Sequence, residues 1–550
     1  MIESDPELGS SSTTAIPEPP TDATPSPLAA RLPPTILSQV FELLHDDCER
    51  DGSLEWLQAS SHVCQHWRAH ALGHQSLWTS LNPMILSRGL VDDFLERSED
   101  APLEVDVHAL PNGNDRELRQ AYRRVLTREL HRVRTLMYAH TDAERQFVPA
   151  AEELALLLKE PAPLLHTLRL PALKRSRLLF REAGVLLNFL TNHAPALQRL
   201  ELTRFPPSCF PWGSPPPAIR TLVLCIDNPI EGVLSVSFTQ VLDGLRAMPN
   251  LRTLSLSGMV PRRTVDDNAQ VTVNLPHLQK LRLTGSGEQY AQLWCALKLH
   301  PECAAQIEII HSADFPEILP NALKKHFIEC DISSFQELHV KRNASNGVVY
   351  DLYPLSRPPN EYASPSHPYT HPYLSLFVSW ENKMKTPHAP AVQIFDVTPL
   401  RNVKRITIEA VDAARTDPER MARLDQRVGA VEDLVLVAYR PSQLSSMFLL
   451  LGRSLLSTPS EEGDDVCMPH LRTITLKQCH FDREVAGPAL RYTLERRAQE
   501  CVPKLDSLSF VGCGLEMGRV DELEVELVES GLVKRILSDD EAGRTSAVTS

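Results

Sequence analysis

The stretch "PNLRTLSL" at residues 249–256 decides the fold that the sequence predicts. Leu254 and Leu256 alternate with polar Ser255 and with Ser257 just beyond the stretch, which predicts a strand with one apolar and one polar face. The preceding "SFTQVLDGLRAM" has apolar residues three to four apart and predicts a helix that stops before Pro249. The local unit is therefore a helix followed by a strand.

This unit recurs along the chain. The phrase apolar-x-x-apolar-x-apolar, led by a proline, returns as "PLLHTLRL" from Pro163, "PALQRLEL" from Pro195, "PAIRTLVL" from Pro217, "PHLQKLRL" from Pro276, "PHLRTITL" from Pro469 and "PKLDSLSF" from Pro503. Weaker copies begin at Val133, Ala304, Phe335, Val403 and Val431. From Leu165 to Phe335 the copies are 32, 22, 32, 27, 26 and 31 residues apart.

The phrase and its period of about 28 residues resemble the leucine-rich repeat. The Asn or Cys expected after the phrase is mostly absent, so the repeats are irregular. Units that cannot cover their own apolar face alone imply an α/β solenoid with a parallel strand ladder, which we assign to residues 131–535. The alternative is an ordinary α/β domain, although no Gly-rich strand-to-helix turn favours it.

A different pattern precedes the repeats. In "RLPPTILSQVFELLHDD", residues 31–47, a helix is predicted from Pro34, because a proline fits the first helical position. The apolar residues of this helix are Ile36, Leu37, Val40, Phe41, Leu43 and Leu44. They cover an arc of roughly 160°, wider than a core-facing helix needs, so one flank remains for another contact.

A second helix is predicted through "SLEWLQASSHVCQHWRAHAL", with Ser53 as its N-cap and Gly73 at its end. Four histidines nearby, His62, His66, His70 and His74, raise the alternative of a metal site. The first three lie toward water on this helix, and Cys64 points to its apolar side. Four converging ligands are therefore not available, and we predict no metal and no cofactor.

The segments "LPPTILSQVFELL", "VCQHWRAHA" and "SLWTSL" follow one another within residues 30–81. This order is similar to that of the F-box in F-box proteins of the fungal type. The resemblance implies a small three-helix module that docks on the Skp-family adaptor of cullin-RING ubiquitin ligases. Carried over by motif, the adaptor-binding residues are Leu32, Pro33, Ile36, Leu37, Val40, Phe41, Val63, Cys64 and Trp67. From the pattern alone, the same nine side chains could instead be the private core of a small bundle. The spacer "HDDCERDGSLEW" departs from the family by its length and acidity.

The remaining segments are assigned by composition. Residues 1–29 and 536–550 are predicted to be disordered tails, residues 82–130 a connecting segment, and residues 343–372 and 457–467 long loops. A formal charge of −14 and the lack of a clustered basic segment argue against a nucleic-acid partner. No apolar run is long enough to span a membrane, and eleven scattered cysteines favour a reducing compartment, the cytoplasm or nucleus.

No motif in the sequence indicates catalysis. We therefore predict a non-catalytic substrate-recognition subunit of an SCF-type ubiquitin ligase, whose F-box holds the adaptor while the repeats bind an unknown protein substrate. Candidate substrate-binding residues are the polar ones beside the repeat leucines: Arg252, Thr253, Ser255, His277, Gln279 and Arg282. The alternatives are an interaction scaffold with an F-box-like bundle that joins no ligase and, more distantly, an enzyme with an unrecognised site.

Overall fold

The computed structural model describes residues 32–50, 54–82, 85, 89–107, 115–138, 159–171, 179–203, 205–226, 236–261, 272–286, 288–300, 302–310, 318–329, 335–343, 347–353, 374–379, 398–409, 428, 430–452, 468–500, 502–515 and 517–538. Two compact units divide the chain: the N-terminal unit, residues 1–106 and 110–122, and the C-terminal unit, residues 107–109 and 123–550. The fold is mixed α/β, with a helical start and a large sheet in which parallel pairing dominates.

Twelve α-helices lie within the described ranges. They are α1 Pro34–Arg50, α2 Glu55–Ser61, α3 Gln65–Gly73, α4 Val91–Ser98, α5 Asp115–Arg128, α6 Leu179–Asn188, α7 Phe238–Arg246, α8 Glu288–Ala296, α9 Ile318–Glu329, α10 Pro441–Leu451, α11 Gly487–Gln499 and α12 Met517–Val528. None of these helices has the length and apolar character that crossing a membrane requires. The start of α7 is fixed by a capping box in which Ser237 and Gln240 each bond the other's backbone N–H.

Of the 19 strands in the described segments, twelve lie in the repeated phrase and seven lie outside it. They are β1 Ser80–Leu81, β2 Leu103–Val107, β3 Val133–Tyr138, β4 Thr167–Pro171, β5 Arg199–Thr203, β6 Thr221–Cys225, β7 Thr253–Ser257, β8 Val273–Leu275, β9 Lys280–Ser286, β10 Leu297–Leu299, β11 Ala304–Ile310, β12 Glu337–Asn343, β13 Gly347–Tyr353, β14 Leu374–Ser379, β15 Arg405–Glu409, β16 Asp433–Val437, β17 Thr473–Lys477, β18 Ser507–Val511 and β19 Ile536–Leu537. Each of the twelve phrases contains a strand.

In the C-terminal unit, the strands from β3 to β7 and then β9 and β11 pair in parallel, each with the next along the chain. Their leucines are in register, so that Leu222 lies opposite both Leu200 and Leu254. All three are fully buried. The leucines at this position of successive repeats therefore form a continuous row of core side chains across the sheet.

The parallel order is interrupted once. Strand β11 pairs in parallel with β14, which is antiparallel to β13, and β13 is antiparallel to β12. Parallel pairing resumes from β12 to β15 and continues through β16, β17 and β18 to β19. An antiparallel insertion between two parallel runs was not predicted from the repeated phrase.

Three predictions of local structure are wrong. The second helix is broken at residues 62–64 into α2 and α3, because Cys64 has extended backbone (φ −159°, ψ 171°) as the N-cap of α3. The predicted loop 343–372 contains β13. The predicted tail from residue 536 begins with β19, where Ile536 pairs with Leu508 and is buried. Residues 1–29, 354–372, 457–467 and 539–550 lie outside the described residues.

Burial of His326 on α9 predicts a pH-dependent stability. Its imidazole, 5% exposed, lies 5.3 Å from the Trp294 ring, and burial lowers its pKa to about 4. As the pH falls below about 6.5, the ordinary histidine pKa, the unfolded chain binds a proton at His326 and the folded chain does not. The free energy of unfolding therefore decreases as the pH falls from about 6.5 to about 4. Between pH 7 and pH 5 we expect the free energy of unfolding to fall by about 2 kcal/mol through this group.

Urea unfolding followed by circular dichroism at the two pH values measures this loss. A His326→Gln variant, which cannot titrate there, should show a smaller decrease between pH 7 and pH 5. Equal decreases in the variant and the natural chain would contradict the assignment to His326.

Candidate functional site

The N-terminal unit is built around α1. Leu37 and Phe41 are fully buried, and the Phe41 ring meets the Trp67 ring of α3 edge-on with centroids 5.4 Å apart. Apolar residues at positions i and i+4 lie on one face of a helix, and here that face is the core of the unit. Neither side chain is accessible in the free chain, so the contact of Leu37 and Phe41 with an adaptor stays a prediction.

A chain of aromatic rings continues this core. The ring centroids of Trp56 on α2 and Trp78 are 5.7 Å apart, and those of Trp78 and Phe94 on α4 are 4.9 Å apart. The indole N–H of Trp78 donates to the carbonyl of Ala71, 3.1 Å away, at the end of α3. These contacts hold the short helices together, so α1 can present its other side without losing its packing.

Three large apolar side chains are exposed among the described residues of the N-terminal unit. Ile36 is 42% exposed, Leu43 is 71% exposed, and Val63, in the turn between α2 and α3, is 48% exposed. Ile36 and Leu43 are seven residues apart and lie on the same side of α1, since seven residues make nearly two turns. We call these three residues the apolar stripe.

The other predicted adaptor-binding residues fall between core and surface. Pro33 is exposed, whereas Leu32, Val40, Cys64 and Trp67 are partly buried. Leu43 is the most exposed member of the stripe but was not among the predicted site residues. Its spacing of seven from Ile36 was the signal that could have identified it.

Two histidines connect α3 with α1 and with the residues just before α1. His70 Nε2 lies 3.0 Å from Ser38 Oγ on α1, and His66 Nε2 lies 3.4 Å from the Leu32 carbonyl oxygen. Partial burial, together with the neighbouring imidazoles of His74 and His66, lowers the pKa of His70. The described residues contain no group of three or more His, Cys, Asp or Glu side chains able to hold a metal ion.

The predicted substrate-binding residues come together in the C-terminal unit. Ser255 on β7 lies opposite Arg282 on β9, and Thr253 lies opposite Lys280. Arg252 and Gln279 immediately precede these strands, and the Gln279 N–H donates to the Arg252 carbonyl. His277, also exposed, lies just before Gln279. The ladder therefore collects all six on neighbouring strands and the turns that enter them.

A groove of about 710 Å³ near α11 and α12 gathers titratable side chains. Its lining residues are Arg483, Arg491, Asp521, Glu522, Val525 and Glu526. Arg483 pairs with Glu522 at 2.5 Å and with Glu526 at 2.8 Å. Arg491 also pairs with Glu526 at 3.4 Å, so oppositely charged side chains of α11 and α12 neutralise one another along the groove.

Residues 29–83 match a protein-family model described as F-box-like. This span contains α1, α2, α3 and the apolar stripe, and it agrees with the predicted limits of residues 30–81. The chain therefore contains an F-box-like domain. No match to the chain was found among curated proteins.

Proposed function

We propose that this chain is the substrate-recognition subunit of an SCF-type cullin-RING ubiquitin ligase. The observation that carries the proposal is the apolar stripe: an F-box-like domain with a well-packed aromatic core exposes Ile36, Leu43 and Val63 to water. Complete burial of a fully exposed apolar side chain of this size is worth about 1.5 to 3 kcal/mol, and covering these three partly exposed side chains would recover a part of it. A Skp-family adaptor that covers the stripe would recover that part.

We infer further that the C-terminal unit is an irregular leucine-rich-repeat solenoid. Cys479 and Cys513 stand three residues after the last apolar position of their phrases, where that repeat has Asn or Cys. The Cys479 thiol donates to the Leu436 carbonyl at 3.2 Å, and the Cys513 thiol donates to the Leu476 carbonyl at the same distance. The side chain thus links each turn to the preceding strand, which supports the solenoid.

In this role the chain is non-catalytic. It would hold a protein substrate on the repeat unit while other subunits transfer ubiquitin, so that proximity raises the effective concentration of the target lysine. We propose that it works in the cytoplasm or nucleus. The eleven cysteines of the sequence are scattered along the chain and none forms a C-x-x-C motif, which supports a reducing compartment.

Co-expression of the full chain with a Skp-family adaptor tests the proposal. We expect the two proteins to elute together from a size-exclusion column and to recruit a cullin when it is added. An adaptor that elutes separately from a folded chain would reject the ligase and favour the interaction scaffold. Adaptor binding without cullin recruitment would also reject the ligase.

A further inference from the structure

The polar face of the ladder aligns side chains from repeats that are far apart in sequence. Residues at or just before the start of successive strands are joined by backbone hydrogen bonds of 2.7–2.8 Å, each N–H donating to the carbonyl in the preceding repeat. This first row is Arg134, His166, Gln198, Arg220, Arg252 and Gln279. Strand register gives a second row, Thr135, Thr167, Arg199, Thr221, Thr253 and Lys280, and a third, Met137, Arg169, Glu201, Val223, Ser255 and Arg282.

These rows concentrate positive charge in a chain whose net charge is −14. Seven side chains are cationic and one, Glu201, is a carboxylate. The seven, which we call the cationic strip, are Arg134, Arg169, Arg199, Arg220, Arg252, Lys280 and Arg282. Only the folded ladder brings them together, because successive members come from different repeats.

Three of the seven cations lie close to a carboxylate. Glu201 pairs with Arg169 at 3.2 Å and with Arg199 at 2.5 Å, and Glu308 on β11 lies 3.8 Å from Arg282. The other four cations, Arg134, Arg220, Arg252 and Lys280, have no carboxylate partner among the described residues. All four are exposed. The strip therefore has unused capacity for anions.

The later strands show that the fold does not itself require this charge. Before β15 to β18 the same first-row position holds Lys404, Glu432, Arg472 and Asp506, which alternate in sign. Lys404 lies 3.7 Å from Glu432, and on the strands Arg405 pairs with Asp433 at 3.1 Å. At equivalent positions, positive and negative charges therefore balance from β15 to β18, whereas positive charge predominates from β3 to β9.

We propose that the cationic strip binds an extended, Asp- and Glu-rich segment of a partner protein. Six strands spaced about 4.8 Å apart span about 24 Å, the length of about seven or eight extended residues. Arg guanidinium groups pair with carboxylates through two parallel hydrogen bonds, which favours a run of carboxylates over unspecific attraction. Naming this segment as the ubiquitination substrate rests on the proposed function; the binding itself does not.

The arrangement favours a run of carboxylates over other anions. The cations are spread over successive strands, so a single phosphate would reach only some of them. A single-stranded nucleic acid would gain from aromatic side chains on which its bases stack, and the three rows contain no Phe, Tyr or Trp. The acidic net charge also repels a long polyanion at a distance.

The test measures fluorescence anisotropy of the full chain with a labelled peptide of about eight residues in which Glu alternates with Ala. Binding should weaken as salt rises from about 50 to 300 mM, since the contacts are charged and exposed. In an Arg220→Glu/Arg252→Glu variant the Kd should rise by at least about tenfold. The matched control, Lys404→Glu/Arg472→Glu, changes the net charge equally at the same row position and should leave the Kd within about twofold.

Four outcomes would overturn the inference: no binding of the acidic peptide, equal weakening by both double variants, tighter binding of a single-stranded oligonucleotide, or tighter binding of a peptide whose only anion is one phosphoserine. Retention of the adaptor is measured on the same variants and should be unchanged. If the natural chain binds the acidic peptide but does not bind the adaptor, the proposed function is rejected and this inference still stands.

Discussion

Lysine at both Ile36 and Leu43 is expected to abolish binding of a Skp-family adaptor while the N-terminal unit stays folded. Both side chains are exposed in the free chain, so a lysine there keeps its ammonium in water. In the complex the same ammonium would be buried without a partner and the apolar contact would be lost. We expect the Kd to rise by at least about 100-fold, measured by titration calorimetry.

The choice of positions decides whether this experiment is informative. Phe41 is fully buried against Trp67, so Phe41→Lys would unfold the module and remove binding for an unrelated reason. A matched control is Val485→Lys/Tyr492→Lys, because both side chains are 45% exposed and lie in the C-terminal unit. Adaptor binding should survive in this control. If the Ile36→Lys/Leu43→Lys variant binds like the natural chain, the apolar stripe is not the docking surface.

Much of the sheet could be predicted because its signal is local and repeated. The alternation of apolar and polar residues, as in Leu254 and Ser255, indicates directly which side chains face the core. A strand lies within every phrase. The start of α1 at Pro34 was equally predictable. These features depend on neighbouring residues only.

The features that sequence reasoning missed depend on tertiary placement. Helix spacing places Leu43 with Ile36 and Phe41 with Leu37, but only the packing of Phe41 on Trp67 decides which of these two sides faces the core. The cationic strip also depends on tertiary placement. Arg220 and Arg252 are a whole repeat apart in sequence, and only strand register makes them neighbours. The antiparallel β13 lies in a stretch whose prolines and polar residues had indicated a loop.

One glycine illustrates how closely neighbouring repeats approach. Gly258 follows β7 with a φ of +66°, and its N–H donates to the Thr284 carbonyl at 2.9 Å. A Cβ added to it would lie 2.2 Å from the backbone carbonyl oxygen of Ile226, the residue after β6. Since the obstacle is backbone, no side-chain rotation can relieve the overlap, and the ladder itself would have to move.

Gly258→Ala is therefore expected to lower the free energy of unfolding by more than about 3 kcal/mol, combining left-handed strain of about 1 kcal/mol with displacement of the ladder. Gly514→Ala separates the two causes: Gly514 has nearly the same φ, +64°, but nothing lies within 4 Å of its added Cβ. It should cost only about 1 kcal/mol. Urea unfolding of both variants measures the difference. Equal losses would show that backbone conformation alone, rather than the approach of Ile226, selects glycine at position 258.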